Sequence, residues 1–270
     1  MDLELVGLRA LVTGSSSGIG TGIASVLARE HAVVVVHGRD GPRTAAVAHA
    51  LAKDGATTHC VTGDLSTIAG CAAVAQAVDD AVGGVDILVN NAGGKTAPGN
   101  PDWFDVGWDD WIGTYEQNVG AAVRLAHAFV PGMKSRGFGR IINITSAAAT
   151  QPERNIGEYQ AAKAAMVNLS ASLARALSHT GITVNSVMPG TIMTPAVEQW
   201  LSHVAQQNDW GNDWSVIERR FTTEFIPLCT DKLGRPEDIG RMVALIASPL
   251  SRYMSGGNYR VDGGQVRSIG

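Results

Sequence analysis

The chain has 270 residues, of which 45% are hydrophobic and 17% are charged, with a net charge of −4 and an isoelectric point near 6.0. This length is enough to bury a full core, and we expect one domain over residues 1–270. The weakly acidic balance excludes the basic surface that nucleic-acid binding needs, and no apolar run reaches the roughly 18 residues of a membrane span. The composition therefore indicates a soluble metabolic protein without nucleic-acid or membrane partners.

Short apolar runs alternate with longer helical patterns along the chain. Strands are predicted over residues 9–13, 32–37, 57–61, 85–90, 140–145, 183–187 and 258–261, and helices over residues 18–30, 43–53, 66–82, 108–133, 158–178 and 236–247. This alternation predicts right-handed βαβ units. The expected fold is a Rossmann-like α/β domain, with a doubly wound parallel sheet of about seven strands and helices on both faces. Ser66 is the expected N-cap of the third helix.

The segment 194–229 breaks the alternation, because no strand pattern occurs in it. It carries five large aromatic residues: Trp200, Trp210, Trp214, Phe221 and Phe225. These side chains are expected to pack against the body of the domain or another subunit, or to face a substrate.

A glycine-rich turn joins the first predicted strand to the first helix. Gly14 is followed after three residues by Gly18-Ile19-Gly20. Glycines at such a turn leave backbone N–H groups free to bind an anion, and the helix dipole adds to the attraction. The turn therefore predicts a phosphate-binding site, although a purely structural turn has the same pattern.

Three side chains that could donate or accept a proton lie in the second half of the chain. Ser146 directly follows the fifth strand, at the carboxyl edge where open α/β sheets bind ligands. Tyr159 and Lys163 are four residues apart, so they share one face of a helix. A charged lysine beside a phenol is expected to lower the pKa of the phenol.

With these motifs in this order, the chain resembles the short-chain dehydrogenase/reductase family over residues 7–264. The resemblance extends to Asn-Asn-Ala-Gly at residues 90–93, to Asn118 and to Pro189-Gly190. It is similar to 3-oxoacyl-carrier-protein reductases and related ketone reductases. The resemblance implies a catalytic group of Asn118, Ser146, Tyr159 and Lys163, in which Asn118 holds a water that connects the lysine to solvent. It also implies that the segment 194–229 is a helical substrate lid.

The resemblance further implies a nicotinamide dinucleotide cofactor. Its expected contacts are Gly14, Ser16, Ser17, Gly18, Ile19, Gly20, Arg39, Asp64, Leu65, Asn91, Ala92, Gly93, Tyr159, Lys163, Pro189, Gly190, Ile192 and Thr194. Asp64 suits a helix cap as well as an adenine contact. Asn90 and Asn91 suit a structural role as well as a cofactor contact.

NADP is the preferred cofactor, and NAD is the alternative. An NAD enzyme of this fold needs an acid at the end of the second strand, where this chain has Gly38 followed by Arg39. Glycine leaves room for a phosphate and a guanidinium can bind one, whereas a solvated Arg39 is the plainer alternative. Ser17, where many NADP enzymes of the family carry a basic residue, and Asp40 both argue for NAD.

The predicted reaction is hydride transfer between NADP(H) and a small carbonyl or secondary alcohol substrate, with Tyr159 as general acid or base. The rivals are an NAD-dependent alcohol dehydrogenase, an isomerase or dehydratase on the same fold, and a cofactor-sensing protein without turnover. The histidines show no metal-ligand spacing, so no metal is expected. Three cysteines without a Cys-x-x-Cys spacing are expected to be buried free thiols, which suits the reducing cytoplasm. The resemblance implies a homotetramer, with the helix over residues 158–178 and the last strand with its Asp-Gly-Gly turn, residues 259–264, in the interfaces.

Overall fold

The computed structural model describes residues 2–99 and 101–268, and its elements follow the predicted order. All seven strands form one parallel sheet in the order β3-β2-β1-β4-β5-β6-β7. The order reverses between β1 and β4, so the connections leave in opposite directions there. The strands are β1 (Arg9–Val12), β2 (Val33–Gly38), β3 (Thr58–Thr62), β4 (Ile87–Asn90), β5 (Gly139–Ile144), β6 (Ile182–Pro189) and β7 (Asn258–Val261).

The helices cover both faces of the sheet, as the doubly wound fold predicts. They are α1 (Gly18–Arg29), α2 (Gly41–Lys53), α3 (Ile68–Val82), α4 (Trp108–Tyr115), α5 (Ala121–Arg136), α6 (Gly157–Ala176), α7 (Pro195–Gln207), α8 (Trp214–Arg220) and α9 (Pro236–Ala247).

Successive strand residues point to opposite faces and build two separate cores. On one face, Val12 and Val34 pack with α1, α2 and α9. On the other face, Leu11 and Val35 pack with α3 and α5. The sequences of these strands are therefore continuous apolar runs, because both faces of the sheet are buried.

Two glycines let α1 and α9 approach closely. A Cβ atom on Gly22 would lie 2.3 Å from Cβ of Pro236, and one on Gly240 would lie 2.8 Å from the carbonyl oxygen of Gly22. This contact fixes the direction of α1, whose first residue is the second glycine of the glycine-rich turn.

The long helix predicted over residues 108–133 is interrupted. A π-helical turn, Glu116–Gly120, separates α4 from α5 and contains Asn118. Such turns often occur at functional sites. The segments on both sides of the π-turn are α-helical, and the sequence pattern therefore predicted one continuous helix.

The segment 194–229 forms a small helical unit with its own core. Leu201, Val204, Trp210, Ile217 and Phe221 are buried together there. The buried carboxylate of Glu218 accepts hydrogen bonds from the Leu233 backbone and the Arg235 side chain. The segment is therefore helical, as predicted, and is tied to the start of α9.

Two local predictions are wrong. Thr67, not Ser66, caps α3: its hydroxyl accepts from the Gly70 N–H, whereas the Ser66 N–H is bound to Asp64. The three cysteines are free, but Cys60 and Cys229 are exposed and only Cys71 is buried. Cys60 lies on β3, the edge strand, where a side chain lacks neighbours on one side.

Candidate active site

A cleft of about 660 Å³ lies at the carboxyl ends of the strands, where the strand order reverses between β1 and β4. This is the position at which open α/β sheets bind ligands. A cavity of about 710 Å³ lies elsewhere, by the last turn of α6 and the start of β6, and contains none of the predicted site residues.

The glycine-rich turn forms one wall of the cleft and is clamped to the end of β4. The Thr13 hydroxyl accepts from the N–H groups of Asn91 and Ala92, and the Asn91 amide donates to the carbonyl oxygens of Thr13 and Gly14. Gly14 and Gly18 have φ angles of 65° and 60°, which glycine adopts without strain. The Asn91 side chain therefore has a structural role, one of the two roles that the sequence left open, because it holds the glycine-rich turn. Asn91 also lines the cleft.

Buried His37 supports the same turn. Its Nδ1 accepts from the Gly14 N–H, and the Ser15 hydroxyl accepts from the His37 N–H. Burial lowers the pKa of His37 to about 4, although nearby Gly63 and Asp64 favour the charged form. A neutral imidazole therefore holds the turn at any ordinary pH.

The ends of β2 and β3 form the far end of the cleft. Arg39 and Asp64 both line it. Hydrogen bonding from Ser66 is the main cause of the lowered pKa of Asp64, and the charge of Arg39 adds to it. A Cβ atom on Gly38 would lie 2.5 Å from Oγ of Ser16. An acid at position 38 would thus displace the Ser16 hydroxyl.

Asp40 does not turn into this end of the cleft. It is exposed and its carboxylate caps α2, accepting from the Arg43 N–H at 2.9 Å. The charge that would repel a phosphate is therefore committed to the helix start.

Ser146, Tyr159 and Lys163 come together on the other side of the cleft. Ser146 follows β5, and its hydroxyl accepts from the Ala148 N–H and hydrogen-bonds with the Tyr159 hydroxyl. Lys163 is buried; its Nζ lies 5.6 Å from the centre of the Tyr159 ring and donates to the Ile144 carbonyl oxygen at 2.9 Å. The predicted proximity of the three side chains is therefore present.

The predicted direction of the tyrosine pKa shift is wrong for this state of the protein. Burial raises the pKa of Tyr159, and the hydrogen bond with Ser146 only opposes this effect. Burial also lowers the pKa of Lys163 to about 8. The sequence pattern gives the spacing of the two groups but not their desolvation, which depends on the packing around them.

Asn118 lies beside Lys163 across Gly93. The Asn118 amide donates to the carbonyl oxygens of Gly94 and Thr114, and its Oδ1 accepts from the Gly94 N–H. A Cβ atom on Gly93 would lie 2.2 Å from Oδ1 of Asn118 and 3.5 Å from Nζ of Lys163. Glycine at this position thus lets the π-turn approach the lysine.

The cleft collects most of the predicted cofactor contacts. Its lining includes Gly14, Ser16, Ser17, Gly18, Ile19, Arg39, Asp64, Leu65, Asn91, Ala92, Gly93, Tyr159, Lys163 and Thr194. Four predicted contacts do not line it. Gly20 and Gly190 pack against Asn91 and Asp262, Ile192 is buried in the core, and Pro189 ends β6.

Sequence reasoning missed several residues of the cleft wall. They are Arg43, Gly63, Ser66, Gln117, Ile144, Thr145, Pro195 and Ala196. Arg43 had a readable signal, because it lies in the first turn of a helix that begins directly beyond β2. Gln117 had none, since the π-turn that places it was not predictable.

The residues present fit a dinucleotide. The cleft runs from the glycine turn at the start of α1 to the tyrosine and lysine, and glycines line it where a side chain would fill it. Among residues 2–99 and 101–268, no helix is long and apolar enough to cross a membrane, and no three acidic, histidine or cysteine side chains gather as a metal site. Fold and cleft together define a nucleotide-dependent α/β enzyme.

Comparison with known proteins identifies the family within this class. The family model described as short chain dehydrogenase matches residues 9–205. The uncharacterized oxidoreductase YvaG of Bacillus subtilis is 38% identical over the full length of both chains. The 3-oxoacyl-[acyl-carrier-protein] reductase FabG of Vibrio harveyi is 32% identical, over 97% of this chain and 98% of its own.

A solved structure of a similar protein supports the same family. L-sorbose reductase from Gluconobacter frateurii, complexed with NADPH and L-sorbose, is 35% identical with a TM-score of 0.92, and each chain is covered over 100% of its length. The chain belongs to the short-chain dehydrogenase/reductase family, as its sequence motifs predicted. It is an oxidoreductase that acts on hydroxyl or carbonyl groups with a nicotinamide cofactor.

Proposed function

We propose that this protein reduces a small carbonyl substrate to a secondary alcohol with NADPH, and that Tyr159 supplies the proton. The observation that carries the proposal is the group formed by Ser146, Tyr159 and Lys163 at the edge of a cleft that fits a dinucleotide. The reverse reaction uses the same groups with the proton moving the other way.

The chain's own residues have separate tasks at the carbonyl. The Ser146 hydroxyl hydrogen-bonds the substrate oxygen and fixes its position beside the phenol. The Tyr159 hydroxyl protonates that oxygen as negative charge develops on it. Because burial raises the pKa of Tyr159, the phenol carries its proton at neutral pH and is ready to act as an acid. When bound, the reduced nicotinamide supplies the hydride.

Lys163 and Asn118 support the tyrosine. The Lys163 ammonium reaches the cleft beside the phenol and offers donors to the ribose of a bound cofactor. The fixed Asn118 amide, held by Gly94 and Thr114, is a polar group near the lysine that can bind a water for return of the proton. In this proposal Lys163 contacts the cofactor, whereas Asn118 is a positioning residue.

Three observations support NADP over NAD. No acid ends β2, since Gly38 stands there with Ser16 packed against it. Arg39 lines the same end of the cleft, and Asp40 faces away to cap α2. The similar L-sorbose reductase was solved with NADPH.

The segment 194–229 is proposed as the substrate lid. Its first residues, Thr194 to Ala196, line the cleft, and the aromatic rings of Trp200 and Phe225 are partly exposed at 36% and 46%. An exposed aromatic pair on a unit with its own core suits a lid that contacts an apolar part of a substrate.

A panel of carbonyl compounds tests the proposal. Purified protein is mixed with NADPH or NADH and with a ketose, a β-keto ester and a ketosteroid, and loss of the reduced nicotinamide absorbance is followed. We expect turnover of at least one ketone with NADPH preferred. Tight NADPH binding without turnover of any ketone, or of any alcohol with NADP⁺, would instead favour a cofactor-sensing protein.

A further inference from the structure

A second large cavity lies at the amino ends of the strands, at the opposite edge of the sheet from the cofactor cleft. It has a volume of about 710 Å³ and is enclosed by the last turns of α6, the start of β6 and the loop between α9 and β7. It shares no lining residue with the cofactor cleft. The side chains around it therefore have no part in the proposed reaction.

Basic side chains line this cavity without acidic ones. Arg175 belongs to the last turn of α6, His179 follows that helix, and Arg252 lies in the loop before β7. No aspartate or glutamate of the described residues lines the cavity. Neither guanidinium makes a hydrogen bond or an ion pair within residues 2–99 and 101–268. The cavity thus presents uncompensated positive charge in a chain whose net charge is −4.

A buried arginine adds positive charge from behind the cavity wall. Arg140 on β5 is 2% exposed and donates to the carbonyl oxygen of Gly181, which lines the cavity. Its other hydrogen bonds go to three more carbonyl oxygens, and no carboxylate in the described part of the chain pairs with it. Burying a cation without an opposite charge is costly. An anion in the cavity would offset part of that cost.

The groups at the end of α6 that would repel an anion are occupied. A helix carries partial negative charge on the free carbonyl oxygens of its last turn. Here the carbonyl oxygen of Arg175 accepts from the Ser178 hydroxyl, and that of Leu177 accepts from the Thr180 hydroxyl. The side chain of Arg175 therefore acts on the cavity with little opposition from its own helix end.

One buried hydroxyl at the cavity wall has no partner. Thr183 lies at the start of β6 and is 6% exposed, and its hydroxyl makes no hydrogen bond among the residues that the structure describes. Buried hydroxyl groups in proteins are ordinarily hydrogen-bonded. An unused donor beside unpaired arginines favours a ligand that accepts hydrogen bonds.

The cavity is larger than a simple anion requires. Its volume of about 710 Å³ is typical of sites for small organic molecules. The fully exposed ring of Tyr253 and the buried side chain of Leu177 line it, and both offer apolar surface to a ligand. Guanidinium groups bind phosphate oxygens in a forked geometry. The combination fits a phosphate that carries an organic group.

We propose that this cavity is a binding site for an organic phosphate monoester of the size of a sugar phosphate. Arg175 and Arg252, from two different elements, donate to the phosphate oxygens, and His179 and Thr183 offer further donors. The organic part lies against the ring of Tyr253. Binding at this site does not require the proposed reaction, because no residue of the cofactor cleft takes part in it.

Calorimetric titration with ribose 5-phosphate, in phosphate-free buffer at low salt, tests the site. We expect one bound molecule per subunit, weaker binding of inorganic phosphate and no binding of ribose. Arg175→Ala and Arg252→Ala should each raise the Kd about tenfold, as for a lost hydrogen bond to a charged group. Arg29→Ala is the matched control, because Arg29 is also an exposed arginine in the last turn of a helix but lies outside the cavity. Its Kd should stay within about twofold of the native value.

Thr183→Val separates a ligand contact from a role in folding. The change removes the unpaired hydroxyl and keeps the shape of the side chain. We expect the Kd for ribose 5-phosphate to rise about fivefold, while urea unfolding shows no loss of stability, because no hydrogen bond within the protein is broken.

Arg39→Ala shows which of the two cavities binds the phosphate. It removes a basic residue of the cofactor cleft, so the Kd for ribose 5-phosphate should not change. Binding that is lost in Arg39→Ala but kept in Arg175→Ala and Arg252→Ala would place the phosphate in the cofactor cleft and overturn the inference. No binding by the native protein up to about 10 mM would overturn it too. The same holds if Arg175→Ala only weakens subunit association, since the arginine would then pair with another copy of the chain.

Discussion

Lys163 carries a positive charge in surroundings that disfavour it. Its side chain is buried, and burial lowers its pKa to about 8 from an ordinary value of 10.5. Between these two values the unfolded chain binds more protons at this residue than the folded protein does. Stability therefore rises with pH across that window.

Replacing Lys163 by methionine should separate stability from function. The variant removes the cost of a buried ammonium, so at about pH 7 it should unfold no more easily than the native protein. From about pH 7 to about pH 9 the native protein should gain roughly 1 kcal/mol of unfolding free energy relative to the variant. Urea unfolding across this range measures the difference.

If the unfolding free energies of the two proteins changed equally with pH, the pKa of Lys163 would not be lowered by burial. Turnover by Lys163→Met should fall at every pH, and cofactor affinity should fall with it if the ammonium binds the ribose. Stability that holds while activity is lost would be the mark of a functional charge placed in an unfavourable site.

The order of the elements was readable from the sequence, but their interruptions were not. Apolar runs such as Val33–Val36 and the glycine turn fixed the strands and the cleft end of the sheet. The π-turn at Asn118 is held by hydrogen bonds to Gly94, which is distant in the sequence. The cap falls on Thr67 rather than Ser66 because the Ser66 N–H is bound to Asp64. The site residues that belong to sequence motifs were thus identified. The directions of their pKa shifts and the other residues that line the cleft were not.

Close packing of α1 against α9 should make Gly22 intolerant of any side chain. A Cβ there would lie 2.3 Å from Cβ and 2.4 Å from the backbone carbonyl carbon of Pro236. A proline ring atom and a backbone atom cannot rotate away. We expect Gly22→Ala to lower the unfolding free energy by roughly 1–3 kcal/mol. Chemical denaturation of the purified variant measures this loss.

Gly132→Ala is the matched control for Gly22→Ala. It also lies within a helix, α5, but its nearest neighbour at 3.2 Å is the flexible end of Arg136. Alanine there should be neutral or stabilising by roughly 0.5–1 kcal/mol. Similar losses in the two variants would mean that helix packing at Gly22 is not the cause.

At the scale of the whole molecule, an apolar stripe on α4 remains exposed among residues 2–99 and 101–268. Trp108, Ile112 and Tyr115 are 74%, 46% and 48% exposed and follow one another along one helix face. We propose that this surface and the small residues of α6 bury themselves in a homotetramer with two-fold symmetry.

The mass of the protein in solution tests the proposed assembly. Light scattering at micromolar concentration should give the mass of four 28.2 kDa subunits. Trp108→Glu should lower that mass, whereas Tyr253→Glu, at an exposed position on the loop before β7, should leave it unchanged. A native mass of one subunit would contradict the proposal.

The central claim is that Tyr159 donates the proton in carbonyl reduction, and Tyr159→Phe tests it most directly. The change removes one hydroxyl and leaves the ring in place, so NADPH should bind as in the native protein. With saturating NADPH and the best ketone of the panel, we predict that kcat falls roughly 10²–10⁴-fold. A variant that binds NADPH normally and keeps more than about a tenth of the native kcat would contradict the assignment of the proton to Tyr159.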